Sequence, residues 1–94
     1  MYIKKGKAYD GIRYDYYVEF YDDEETSKLI TYCPTESHQK ILYKVLIECN
    51  NYPYKVKKKV YTNLDILKLK NTEPQKYESL KEEIEKAYLE GRVT

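Results

Sequence analysis

Residues Ile12 to Tyr21 alternate without a break, and nothing else in the chain restricts its fold as tightly. Ile12, Tyr14, Tyr16, Val18 and Phe20 share one parity, and Arg13, Asp15, Tyr17, Glu19 and Tyr21 share the other. A period of two marks a strand with one buried face, because successive side chains leave a pleated backbone on opposite sides. Pairing partners are legible on both flanks. Asp22-Asp23-Glu24-Glu25 breaks the pattern with charge that resists burial, and Leu29 to Cys33 resumes β-prone residues, so the two runs read as a hairpin with an acidic turn. Ahead of them Asp10-Gly11 is a favoured turn pair, and Tyr2 to Tyr9 reads as an edge strand whose Lys4, Lys5 and Lys7 discourage unwanted pairing.

Helical signals follow. Thr35 can cap a helix, Glu36 complements the positive end of its dipole, and Ile41, Leu42, Val45, Leu46 and Cys49 recur as a stripe expected to face the core. Asn50-Asn51-Tyr52-Pro53 ends that helix. Tyr54 to Tyr61 alternates again and is expected as one strand, with Tyr54, Val56 and Val60 inward and Lys55, Lys57 and Lys59 outward. Lys58 falls out of step, as at a strand end or a bulge. Residues 63–70 carry two signals: Thr62-Asn63-Leu64-Asp65 resembles a capping box, while Ile66 to Lys70 alternates, and the strand is preferred. Thr72-Glu73-Pro74-Gln75 is a clearer capping box ahead of the stripe Tyr77, Leu80, Ile84, Ala87 and Tyr88, with Gly91 placed to end the helix. The predicted fold is a single α+β domain over residues 1–94, in the order β-β-β-α-β-(β)-α. It is a small antiparallel sheet of four to five strands with two helices packed on one face, the other face left open.

Ninety-four residues bury roughly two-thirds of their surface on folding, enough for one core. Seventeen basic and sixteen acidic side chains balance, so any attraction to nucleic acid has to come from local asymmetry. No apolar run approaches the roughly 20 residues of a membrane span and no apolar leader stands at the amino terminus, which points to the cytoplasm and to no membrane partner. Cys33 and Cys49 flank a segment about 20 Å long as a helix, far beyond the ~7 Å reach of a disulfide, and are expected as free thiols. The thirteen tyrosines and the excess of Lys over Arg follow AT-rich codons, a bias common in phages, archaeal viruses and mobile elements.

Catalytic motifs are missing: no zinc-ligand spacing, no nucleophile elbow and no glycine-rich phosphate loop, so neither enzymatic activity nor a cofactor or metal is expected. The lone histidine, His38, is the residual candidate for acid–base chemistry, with Glu36 and Ser37 beside it. Its position before Ile41 and Leu42 suits a histidine at the edge of the core. Asp22, Asp23, Glu24 and Glu25 lack the spaced oxygen ligands and glycine of a calcium loop; they read as a solvated turn or as a phosphate-mimicking contact for a basic partner.

The outward parity carries more content. It gathers Tyr17, Tyr21, Lys55, Lys57, Lys59 and Tyr61 on the open sheet face. Tyrosines on such a face anchor protein interfaces, because each supplies a large contact area and a hydroxyl at little entropic cost. Interleaved with lysines they also stack bases and pair phosphates, although Asp15 and Glu19 on the same face oppose that use. The first reading is therefore a small non-catalytic binder, a viral or mobile-element inhibitor or modulator of a host protein in the host cytoplasm. The alternative is a nucleic-acid-binding or regulatory domain. An exposed aromatic face can also bury itself against a second copy in a homodimer.

Overall fold

Three strands pair in the order in which the chain writes them. In the computed structural model, which describes residues 1–22 and 26–90, β1 (Tyr2–Tyr9), β2 (Tyr14–Asp22) and β3 (Thr26–Cys33) form an antiparallel meander. Val18 and Ile3 supply its inward face, at 0% and 2% exposure. The first two members of the alternation, both expected to point into the core, do not: Ile12 lies in the β1–β2 turn, and Tyr14, at the start of β2, is exposed. Lys5, opposite Val18, is buried as well. Its Nζ donates to the Leu89 carbonyl at 2.7 Å, near the end of the last helix, and lies 5.6 Å from the Tyr43 ring centroid. The aliphatic stem thus crosses apolar surface while the ammonium meets the negative end of a helix dipole. Lys4 pairs with Glu19 at 2.9 Å, so of the three expected edge guards only Lys7 is exposed. On the opposite edge the pairing steps from Thr31 to Leu29, leaving Ile30 as the extra residue of a bulge, a device that discourages further strand addition.

Helix α1 (Glu36–Asn50) lies against this sheet. Thr35 caps it as expected, accepting the His38 N–H, and Asn51 closes it in the left-handed region at φ 54°. The buried face is rotated about 100° from the predicted stripe, one residue's step around a helix. Gln39, Tyr43 and Ile47 are buried, Leu42 and Leu46 are half-buried, and Ile41, Val45 and Cys49 face outward. Burying the large Tyr43 ring removes more apolar area from water than Ile41 or Val45 would. Gln39 follows it inward because its amide finds two acceptors there: Nε2 donates to the Gly6 carbonyl at 2.6 Å and to the Tyr17 carbonyl at 2.8 Å, stapling the helix across β1 and β2.

Residues 54–61 are not one strand of a larger sheet. They form a separate two-stranded hairpin, β4 (Tyr54–Val56) and β5 (Lys59–Tyr61), joined through Lys57 and Lys58 with Lys57 left-handed at φ 54°. The turn resets the parity. Tyr54 and Tyr61 become cross-strand partners on one face, and both are buried, where an unbroken strand would have set them on opposite sides. Residues 63–70 belong to α2 (Asn63–Thr72), correcting the strand assignment: Thr62 and Asp65 complete a reciprocal capping box, and Ile66 and Leu69 face inward three residues apart. Thr72 does not cap the next helix; its hydroxyl donates back to the Lys68 carbonyl at 2.7 Å, and α3 (Pro74–Glu90) begins two residues later. Gly91 lies outside the described residues.

The architecture is therefore α+β, but the predicted sheet of four to five strands divides into three plus two, and three helices stand among the described residues where two were expected. The Ile3 N–H donates to the Pro53 carbonyl at 3.0 Å, tying β1 to the lead-in of β4. Between the layers lies a core in which Tyr43, Tyr54, Tyr61 and Tyr77 pack with Ile3, Val18, Ile47, Val56, Leu69, Ile84 and Ala87.

Candidate binding surfaces

The predicted tyrosine–lysine face does not assemble. Tyr17 and Tyr21 belong to the three-stranded sheet, whereas Lys55, Lys57, Lys59 and Tyr61 belong to the separate β4–β5 hairpin. Tyr61 is 6% exposed within the core and Tyr21 is 8% exposed. The Tyr2 ring lies 5.2 Å from that of Tyr21 and the Lys4 ammonium 5.1 Å over it, and burial raises the Tyr21 phenol above its ordinary pKa. Tyr17 is half-buried with the end of its ring against Gly6: a Cβ there would stand 2.5 Å from the Tyr17 Oη, so the ring rests where a side chain would otherwise be. Lys55 sits 5.9 Å over the Tyr2 ring, and Lys57 meets Glu83 at 2.8 Å. Lys57 also lines a depression along α3, and Lys59 opens onto a separate groove. Of the acidic contact, Asp22 ends β2, and Asp23, Glu24 and Glu25 lie outside the described residues.

A different surface, which parity reasoning missed, is built at the β1–β2 turn. Asp10 Oδ1 accepts the Ile12 N–H at 2.8 Å and the Arg13 N–H at 2.9 Å, while the Asp10 N–H donates to the Arg13 carbonyl at 3.1 Å. These backbone donors, Arg13 first and Ile12 second, hold the Asp10 carboxyl below its usual pKa. Gly11 takes φ 97°, a region closed to side chains with a Cβ, and its carbonyl accepts the Tyr9 hydroxyl at 3.1 Å. Behind the turn the Tyr9 and Tyr14 rings meet at 5.1 Å, and the Lys7 ammonium stands 4.7 Å over Tyr14. On this braced scaffold Ile12 is 89% exposed, between Tyr9 at 62% and Tyr14 at 49%. Arg13 and Asp15 lie 3.7 Å apart beside it, so Lys7, Arg13, Asp10 and Asp15 leave the tip without net charge. The Asp10-Gly11 pair already announced a turn; the hydrophobic residue directly after it was the unused signal.

Two further surfaces stand out. On α1, Ile41 and Val45 lie one turn apart and face solvent at 64% and 47%, and Ile41 lines a depression with Lys40, Lys44 and Leu89. Between β5 and α2 runs an open groove bordered by Lys59, Lys68 and Lys76. His38 is not at the edge of the core: it is exposed at the start of α1, with Nδ1 2.8 Å from Thr35 Oγ1, a supplement to the helix cap. Cys33 and Cys49 are free thiols. Among the described residues no three His, Cys, Asp or Glu side chains gather as a metal site, and no helix is long and apolar enough to cross a membrane. No protein-family model, curated protein or solved structure matches this chain.

Proposed function

We propose that this chain is a small non-catalytic protein-binding module that grips its partner with the β1–β2 hairpin tip, a role suited to a viral or mobile-element inhibitor or modulator of a host cytoplasmic protein. The observation that carries this reading is Ile12, 89% exposed on a turn held by four internal hydrogen bonds. Flexible loops lose affinity to ordering, and a turn already fixed in its bound shape avoids that cost. An isoleucine left in water forgoes about 1.5–3 kcal/mol that burial in a partner's pocket recovers. Tyr9 and Tyr14 beside it are of the type that anchors interfaces, with ring area to bury and a hydroxyl to satisfy. The neutral tip favours an apolar pocket over a charged one.

The test is quantitative. Proximity labelling and cross-linking through the tip in the native host identify the partner, and its affinity is then compared for wild type and for Ile12→Asp. At about 1.4 kcal/mol per decade, losing the isoleucine contact weakens binding roughly ten- to a hundred-fold. The melting temperature stays unchanged, because Ile12 touches no core residue. Equal affinity of both proteins for the identified partner defeats the proposal.

A further inference from the structure

The near-neutral total conceals a segregated charge. Residues 52–77, which hold β4, β5, α2 and the first turn of α3, carry seven lysines against Asp65 and Glu73, a net of +5. Since the whole chain carries +1, the remaining residues carry −4. The fold draws part of this excess to one place. Lys59 from β5, Lys68 from α2 and Lys76 from α3 line a single groove of about 360 Å³. None of the three is held in an ion pair among the described residues. Two carboxylates share the groove, Glu73 and Asp65, the latter also accepting the Thr62 N–H at 3.0 Å in the α2 cap, so the three lysines outnumber them by one.

We infer that this groove is a binding site for the phosphodiester backbone of nucleic acid. Three cations fixed on three separate elements match a chain of regularly spaced anions better than a single one. Lysine is a compact, hydrated point charge, suited to tracking phosphates. Residues 52–77 contain no arginine, the side chain that most often reads guanine edges, so the site grips backbone without selecting sequence. It lies apart from the hairpin tip, on different strands, and does not depend on the tip's function.

Fluorescence anisotropy of the full chain with a labelled 20-mer of oligo(dT), and with a 20-base-pair duplex, tests the site. Neutralising three phosphates makes affinity fall about twenty-fold for the single strand, or about forty-fold for the duplex, between 50 and 200 mM salt. The triple variant Lys59→Gln/Lys68→Gln/Lys76→Gln loses at least ten-fold in affinity at 50 mM salt and flattens that salt slope, whereas Glu73→Gln tightens binding. A control with the same charge change elsewhere, Lys28→Gln/Lys40→Gln/Lys44→Gln, keeps most of the affinity, and circular dichroism verifies that every variant folds. The inference is overturned by any of three results: no binding of either oligonucleotide at 50 mM salt, equal losses in both triple variants, or polyglutamate binding as tightly as the oligonucleotides.

Discussion

Tyr43 and Tyr54 are each 0% exposed, yet neither Oη has a hydrogen-bond partner among the described residues. A buried hydroxyl without a partner costs about 1–3 kcal/mol, because the water it gave up is not replaced. Phenylalanine at either position keeps the ring and removes that cost. The Lys5 ammonium 5.6 Å over the Tyr43 ring and the Tyr54–Tyr88 contact at 5.5 Å depend on ring faces and survive the change. The void left by one oxygen atom takes back a few tenths of a kcal/mol, at about 24 cal/mol per Å³. Tyr43→Phe and Tyr54→Phe should therefore each stabilise the protein by about 1–2 kcal/mol. For a domain of this size each kcal/mol raises the melting temperature by roughly 4–8 °C. Urea denaturation followed by circular dichroism reads the change directly, with the slope against urea checked for constancy. The reasoning fails if either phenylalanine variant is less stable than wild type by 1 kcal/mol or more, since that result would mean the hydroxyl is bonded after all.

Burial, first among the causes, drives the Tyr43 and Tyr54 phenols far above their ordinary value of 10.0. A raised folded-state pKa contributes stability that is complete below pH 10 and drains away as pH climbs through the folded value, so the protein should unfold in base. Absorbance at 295 nm should show these phenols ionising together with the loss of structure, and the double phenylalanine variant should persist to higher pH; smooth titration of all tyrosines in an intact fold would contradict this. Gln39→Met keeps the side-chain volume but deletes the bonds to Gly6 and Tyr17 at 2.6 and 2.8 Å, and should cost about 1–3 kcal/mol in urea. An unchanged midpoint would show that the staple adds nothing.

Features whose cause lies within a few residues were legible in the sequence. The β2 strand, the Asp10-Gly11 turn, the Thr35 cap and the α3 stripe each follow from local geometry, although exposed Tyr14 and buried Tyr21 run against the parity read along β2. The Thr62–Asp65 capping box was equally local, and it outweighs the alternation of Ile66 to Lys70, because a satisfied helix end fixes several N–H groups at once. The β4–β5 turn was hidden for a local reason too: a lysine occupies its left-handed position, where Gly, Asn or Asp would have announced it.

The candidate site was less legible, since it turned on which tyrosines are outside. Five of the thirteen are buried and three are exposed, and the side chain itself tolerates either fate, an apolar ring with one polar tip. Sequence alone therefore determined the strand meander, the Thr35-capped α1 and the apolar stripe of α3. Tertiary structure decided which faces meet. Gln39 finds its acceptors 33 and 22 residues away, and Lys5 finds its own 84 residues away. The burial of a polar group is set by such partners, and no short window of sequence contains them.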